Sequence, residues 1–423
     1  MAENNSFRKF TLDNGIRLLT ERMEHVRSVT LGIWVNAGAR DETAALNGIS
    51  HFLEHMHFKG TRARTAVDIA NAIDAVGGEL NAFTSREGTT YYVKILDTRL
   101  DVGIEILSDI LLHSTYPEAE IEKERDIVID EIRMSEDTPD DYVHDLFNKT
   151  IWGDDGPGRG VLGSPETVGA IGRPELAAFV NEWYRPQGIV ISAAGRFDVE
   201  SLVSRLNACF GQLEAGVRPP ARSPSPSFGN RFSLTWKDTA EAHICIGIEG
   251  VRADDPDRYA LSVLNTIFGS GTSSRLFQEI REKRGLAYSV YSYLSAYSDT
   301  GLFGVYAGVD PRKAAEVSRL VLAEFARLPK TMDSASVSLA KEQMKGNLIL
   351  GLESTSSRMN QMARNEIYLG RHFTLEDILE RIDAVTVDNV RLAAGRLVRP
   401  DRLAMTVLGP VTDRDIAPEV MTF

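Results

Sequence analysis

Apolar and polar positions alternate through NAFTSREGTTYYVKILDTRL, residues 81–100, and the alternation breaks at one turn. This predicts two strands, and the helical recurrence that follows predicts an amphipathic helix from about Leu100 to Leu112. The same order returns in VYSYLSAYSDTGLFGVYAGVDPRKAAEVSRLVLAEFARLP: strand, turn, strand, an Asp-Pro helix start, then a helix to about Arg327. The two stretches lie about 210 residues apart, the signature of a duplicated α/β unit. Between them EAGVRPPARSPSPSFGN, residues 214–230, has four prolines and almost no core-forming residues, and predicts an interdomain linker. Two domains, 1–213 and 231–423, are expected on either side.

Helical periodicity without proline also covers residues from about Ala45 to Phe58, which hold HFLEHMHF with three of the chain's eight histidines. At about 100° per residue, His55 lies about 40° from His51, and Glu54 about 60° to its other side. His57 projects about 120° away and cannot join them on one ion. Two imidazoles at i and i+4 grip a divalent metal, zinc being the usual occupant of mixed His and carboxylate sites. A glutamate just before the second histidine sits beside the metal, turned from direct ligation, which suits a base acting on water. The pattern equally fits structural histidines on an amphipathic helix, so a third ligand must decide.

The best source is the helix predicted after Tyr116, YPEAEIEKERDIVIDEIRMSEDTPDDYVHDLF. Glu124 and Glu131 are seven apart and share their stripe with Ile121, Val128 and Ile132. A carboxylate there is costly unless paired or metal-bound. Pairing with Arg125 or Lys123 at the stripe's edge is the other reading.

His51, Glu54 and His55, followed by Glu131 seventy-six positions later, resemble the signature of the pitrilysin, insulin-degrading and mitochondrial processing peptidase family of inverted-motif (HxxEH) zinc metallopeptidases. LDNGIRLL (12–19), GGELNAFTSREGTTYYV and SRLFQEIREKRGLAYSVYS extend the likeness over nearly the whole chain, closest to the short bacterial processing-peptidase-like subfamily. The resemblance implies an α+β fold: two duplicated domains, each a mostly antiparallel sheet packed with helices, in a clamshell arrangement. It implies one Zn²⁺ per chain on His51, His55 and Glu131, Glu54 as general base on the zinc-activated water, and Glu124 in support. Asn81, Ala82 and Phe83 would take the peptide as an added strand. Arg281 and Tyr288, from the half without histidines, would reach the peptide, Tyr288 also steadying the oxyanion. The expected activity is that of a zinc metalloendopeptidase (EC 3.4.24 type) on peptides or unfolded segments enclosed between two domains. A non-catalytic structural or partner subunit of a heteromeric complex is the alternative. His57, often apolar or small in the family, is a departure, read as structural or supporting.

Composition narrows the partners. A net charge of −13 disfavours phosphate backbones, hence nucleic acid. No apolar run approaches the length of a membrane-spanning helix. The start, MAENNSFRKFTLDNG, reads as neither signal nor transit peptide, and Cys209 and Cys245 suggest no thiolate site. A cytoplasmic, bacterial-type protein is expected, or a mitochondrial matrix protein if eukaryotic. Both halves in one chain favour a homodimer, with a heterodimer partner left open.

Overall fold

The computed structural model describes residues 6–422; residues 1–5, part of the start read for a leader, lie outside that range. The chain is α+β and forms two compact units. The first comprises residues up to Arg133, Arg159–Ser223 and Gly351–His372, the second Met134–Gly158, Pro224–Leu350 and Phe373 onward.

The first unit is built on a six-stranded sheet, β1 (Phe7–Thr11), β2 (Arg17–Arg22), β3 (Ser28–Val35), β4 (Glu79–Thr84), β5 (Thr89–Leu96) and β6 (Ile189–Gly195), in the order β1-β2-β6-β3-β5-β4. Only β2 and β6 are parallel. β3 and β6 are buried on both faces and read as continuous apolar runs, whereas β4, at the edge, alternates exposed and half-buried residues. Helices Ile49–His57, Leu100–His113, Arg173–Trp183 and Val199–Phe210 share one large core with one face of the sheet. Helix Thr355–Leu369 covers the other face. Its Met359 sits where a Cβ on Gly32 would lie 2.5 Å from the sulfur, and its carbonyl accepts from Ser192 Oγ at 2.9 Å.

The second unit repeats this plan with β7 (Arg231–Trp236), β8 (Ala242–Glu249), β9 (Ala287–Ala296), β10 (Gly301–Val309) and β11 (Leu403–Gly409), in the order β7-β11-β8-β10-β9 with β7 and β11 parallel. Helices Arg258–Gly269 and Ala314–Thr331 pack on one face. Helix Pro139–Trp152 covers the other, its Phe147 standing 2.9 Å from where a Cβ on Gly247 would be. Two expected hairpins, β4–β5 and β9–β10, and the helix after each are present at the expected offset.

The units differ from a division into continuous halves. A sheet buried on both faces needs helices on both faces, and the second layer on each sheet comes from the other half of the chain: residues 139–152 serve the second sheet and 355–369 the first. The stretch 214–230 is likewise not a free tether. Arg222 reaches into the first unit, where it forms a bidentate pair with Asp41 (2.7 and 2.8 Å) and lies 3.3 Å from Glu87. Glu87 also meets the fully buried Arg40 at 2.5 Å, and Arg40 donates to the Ser223 carbonyl at 3.0 Å. In the second unit, the Ser225 amide and hydroxyl both donate to Asp299 (2.7 and 2.9 Å). Removing one member of so buried a network leaves charge uncompensated. Glu87→Gln is expected to destabilise the first unit by about 3 kcal/mol, read as a lowered urea midpoint for that unit.

Candidate functional site

The histidine helix, Ile49–His57, starts at Gly48 in the left-handed region (φ 97°), where a Cβ would lie 2.6 Å from the Leu162 carbonyl oxygen. Glu42 caps it: Oε2 accepts from the Gly48 amide (2.7 Å) and Asn47 Nδ2 (2.8 Å), and Oε1 from the Ser50 amide (2.8 Å). Burial pushes the Glu42 carboxyl up to about 7 against the opposing pull of these bonds. Ile49, Phe52, Leu53 and Met56, at helical spacing, are fully buried and fix one face. His51, Glu54 and His55 are thereby left on the partly exposed side.

The second helix, Glu118–Glu136, brings the carboxylates. Its buried residues are Ile121, Glu124, Val128 and Ile132. The two glutamates therefore do not share one buried stripe as the spacing implied: Glu124 is 4% exposed and Glu131 39%. Glu131 Oε2 lies 3.6 Å from His51 Nε2 and 3.5 Å from His55 Nε2, and one ligand atom from each of the three residues falls within 4.8 Å of the others. Among the described residues this is the one such group of three or more His, Cys, Asp or Glu.

The donor set fits zinc. Burial, then the neighbouring His55, pushes His51 down to about 4, so that ring is neutral near pH 7 and offers a lone pair. His55 Nδ1 lies 3.1 Å from Glu124 Oε2; a carboxylate only accepts, so Nδ1 carries the proton and Nε2 is left as the ligand. The other Glu124 oxygen meets Lys59 Nζ at 2.7 Å. The buried Nδ1 of His51 has no protein partner among the described residues, so a carboxylate orients only one of the two rings. Glu124→Gln should therefore weaken zinc binding at least about tenfold, measured by competition with a chromogenic chelator.

Glu54 is raised from the ordinary carboxylate value, chiefly by burial and further by the charge of Glu131, with the Thr84 bond and His55 pulling the other way. Its Oε2 accepts from Thr84 Oγ1 at 2.5 Å. Thr84 ends edge strand β4, which also carries Asn81, Ala82 and Phe83. Asn81 and Phe83 are exposed, and Ala82 is half-buried. Asn81 Oδ1 accepts from the Ala82 amide at 2.8 Å, which identifies that N–H as a donor on the open side of the sheet. His57 is completely buried, its Nδ1 2.8 Å from the Tyr91 hydroxyl and its Nε2 3.2 Å from that of Tyr116. Burial pushes it down to about 3. It is a core residue.

In the second unit, Arg281 lies on a π-helical turn, Phe277–Glu282, with Cζ 4.8 Å from the Phe277 ring centroid and 5.3 Å from that of Tyr288, which is 76% exposed. Leu261 and Asn265, at the offset positions of His51 and His55, offer no metal ligand; Leu261 is buried, and Asn265 Oδ1 accepts from Ser292 Oγ at 2.7 Å. Thr84, Lys59 and Glu42 escaped the sequence reading. The one signal for Thr84 was its shared parity with Ala82 along β4.

Comparison with known proteins agrees with this architecture. Residues 17–164 match the model of insulinase, peptidase family M16, and residues 170–344 that of the peptidase M16 inactive domain. A protein of Streptomyces coelicolor, named an uncharacterized zinc protease, is 43% identical over 96% of this chain and 90% of its own length. One of Bacillus subtilis with the same description is 40% identical over 95% and 98%. The crystal structure of a protease from Helicobacter pylori superposes with a TM-score of 0.90 at 22% identity, covering 96% of this chain and 99% of that one, and so shares the fold. By extent and identity, the chain belongs to the insulinase or pitrilysin family, peptidase family M16, in its short bacterial subfamily.

Proposed function

We propose that the protein is a zinc-dependent endopeptidase acting on peptides and unfolded segments. The observation that carries this reading is Glu54: a carboxylate beside the His51, His55 and Glu131 group, hydrogen-bonded through Thr84 to an edge strand with an outward donor. A purely structural zinc site is closed and needs no such base. Zinc held by these three residues supplies Lewis acidity toward water and the scissile carbonyl. Both histidines would hold it through Nε2, the atoms that face Glu131 Oε2 at 3.6 and 3.5 Å, and Glu124 holds the His55 ring in the tautomer that permits it.

Thr84 fixes Oε2 of Glu54, so Oε1 is the oxygen that accepts the water proton and returns it to the leaving amine. A substrate strand would lie along β4, its carbonyl displacing Asn81 Oδ1 from the Ala82 amide, while Asn81 and Phe83 flank it. Such binding draws on backbone hydrogen bonds and gives little sequence preference. Arg281 and Tyr288 would contact the peptide as well, a role supported by the exposed tyrosine and the guanidinium stacked on it.

Digestion of a mixed peptide library beside a folded protein control, read by mass spectrometry with and without chelator, tests the reading. Internal cleavage of the peptides, abolished by chelator, with the folded control intact, is expected. Chelator-insensitive cleavage, or none, would refute it.

A further inference from the structure

Helices Leu100–His113, Arg173–Trp183 and Val199–Phe210 leave a cavity of about 170 Å³ over β3 and β6 of the first sheet, distant in role from the metal ligands. Its floor is buried and apolar: Ile33, Val35, Ile189 and Phe210. Leu112, Val180 and Leu213, half-exposed, mark its opening. Arg185 lines it too, and the guanidinium has no hydrogen-bond or ion-pair partner among the described residues. A dry apolar cavity of about 150 Å³ admits a molecule the size of benzene. An unpaired arginine beside such a space offers a fork for a carboxylate, and a mainly apolar pocket with a few polar groups, here Arg185 and Asn181, has the form of a small-ligand site.

We infer that this cavity is a binding site for an aliphatic monocarboxylate of about six carbons, with the alkyl chain among Ile33, Val35, Ile189 and Phe210 and the carboxylate on Arg185. The size of the cavity limits the chain, and the single cation selects the charge. Tyr184, in the wall, donates or accepts through its hydroxyl at 2.9 Å to Tyr91, whose hydroxyl lies 2.8 Å from His57 on the histidine helix. The occupant would therefore touch a hydrogen-bonded chain, Tyr184–Tyr91–His57–Tyr116, that runs through the core of the first unit. The site itself does not depend on the peptidase reading.

Titration calorimetry with hexanoate, hexanol and acetate on the full chain tests the inference. Hexanoate is expected to bind saturably with a Kd below about 1 mM, at least about tenfold more tightly than the other two. Arg185→Gln should abolish the preference for hexanoate over hexanol. Val180→Trp and Leu213→Trp, which narrow the opening, should each lose hexanoate binding; two variants are used so that a folding defect in one, seen by circular dichroism, leaves the other. Absence of saturable hexanoate binding up to about 10 mM, or undiminished binding to a folded tryptophan variant, would overturn it.

Discussion

Glu54→Gln is expected to lower the rate of peptide hydrolysis by about a thousandfold, or about 4 kcal/mol of transition-state stabilisation, while leaving zinc content unchanged. The substitution keeps the shape of the side chain, and the amide oxygen still accepts from Thr84 Oγ1 in place of Oε2. It removes the carboxylate that the proposed mechanism uses to take a proton from water and pass it to the amine. His51 cannot substitute, because both its burial and its place among the ligands hold it neutral. Steady-state hydrolysis of a quenched-fluorescence peptide, paired with elemental analysis of the same sample, checks both halves of the prediction. Normal turnover by the variant would remove Glu54 from the mechanism.

Glu131→Gln acts on the metal instead. Glu131 is the only anion of the three residues and comes from a different helix than the two histidines. An amide in its place leaves two neutral imidazoles on one helix and no charge to balance a dication, so zinc affinity is expected to fall more than about a hundredfold. The fold should survive, since the side chain is 39% exposed and the helix is held by Ile121, Val128 and Ile132. Metal retained after gel filtration against a chelator, measured by elemental analysis, is the readout. Unchanged retention would remove Glu131 from the ligand set. The two variants thus fail differently: one loses turnover with metal bound, the other loses the metal.

The histidine helix was legible because ligands four apart and a base between them are a local pattern, and local periodicity is what a sequence displays most directly. Glu131 was legible as half of a pair, Glu124 and Glu131, that looked too acidic for a core stripe. The structure divides that pair, burying Glu124 against His55 and Lys59 and leaving Glu131 half-exposed toward both imidazoles. Spacing alone could not separate them, since seven residues on a helix differ by only about 20°. Thr84 was harder to find for another reason: parity along β4 groups it with Ala82, but its contact with Glu54 depends on how β4 lies against the helix, which is a tertiary fact.

The same holds for the exchanged helices. Residues 139–152 and 355–369 carry ordinary amphipathic patterns, and nothing in them states which sheet they will cover. The requirement that β3 and β8 be buried on both faces could be read from their apolar runs. The donor of the second layer could not. Arg222 was likewise hidden in a proline-rich stretch whose composition signals a linker, although its guanidinium belongs to a buried network with Asp41 and Glu87.

The proposed function requires one zinc ion, on His51, His55 and Glu131, for peptide hydrolysis. Stripping the protein of metal and titrating zinc back, with bound zinc and peptide cleavage measured on the same samples, tests this most directly. Cleavage should be absent at the start, rise in proportion to bound zinc, and reach its plateau at one ion per chain. Cleavage by the stripped protein, or none at full zinc occupancy, would contradict it.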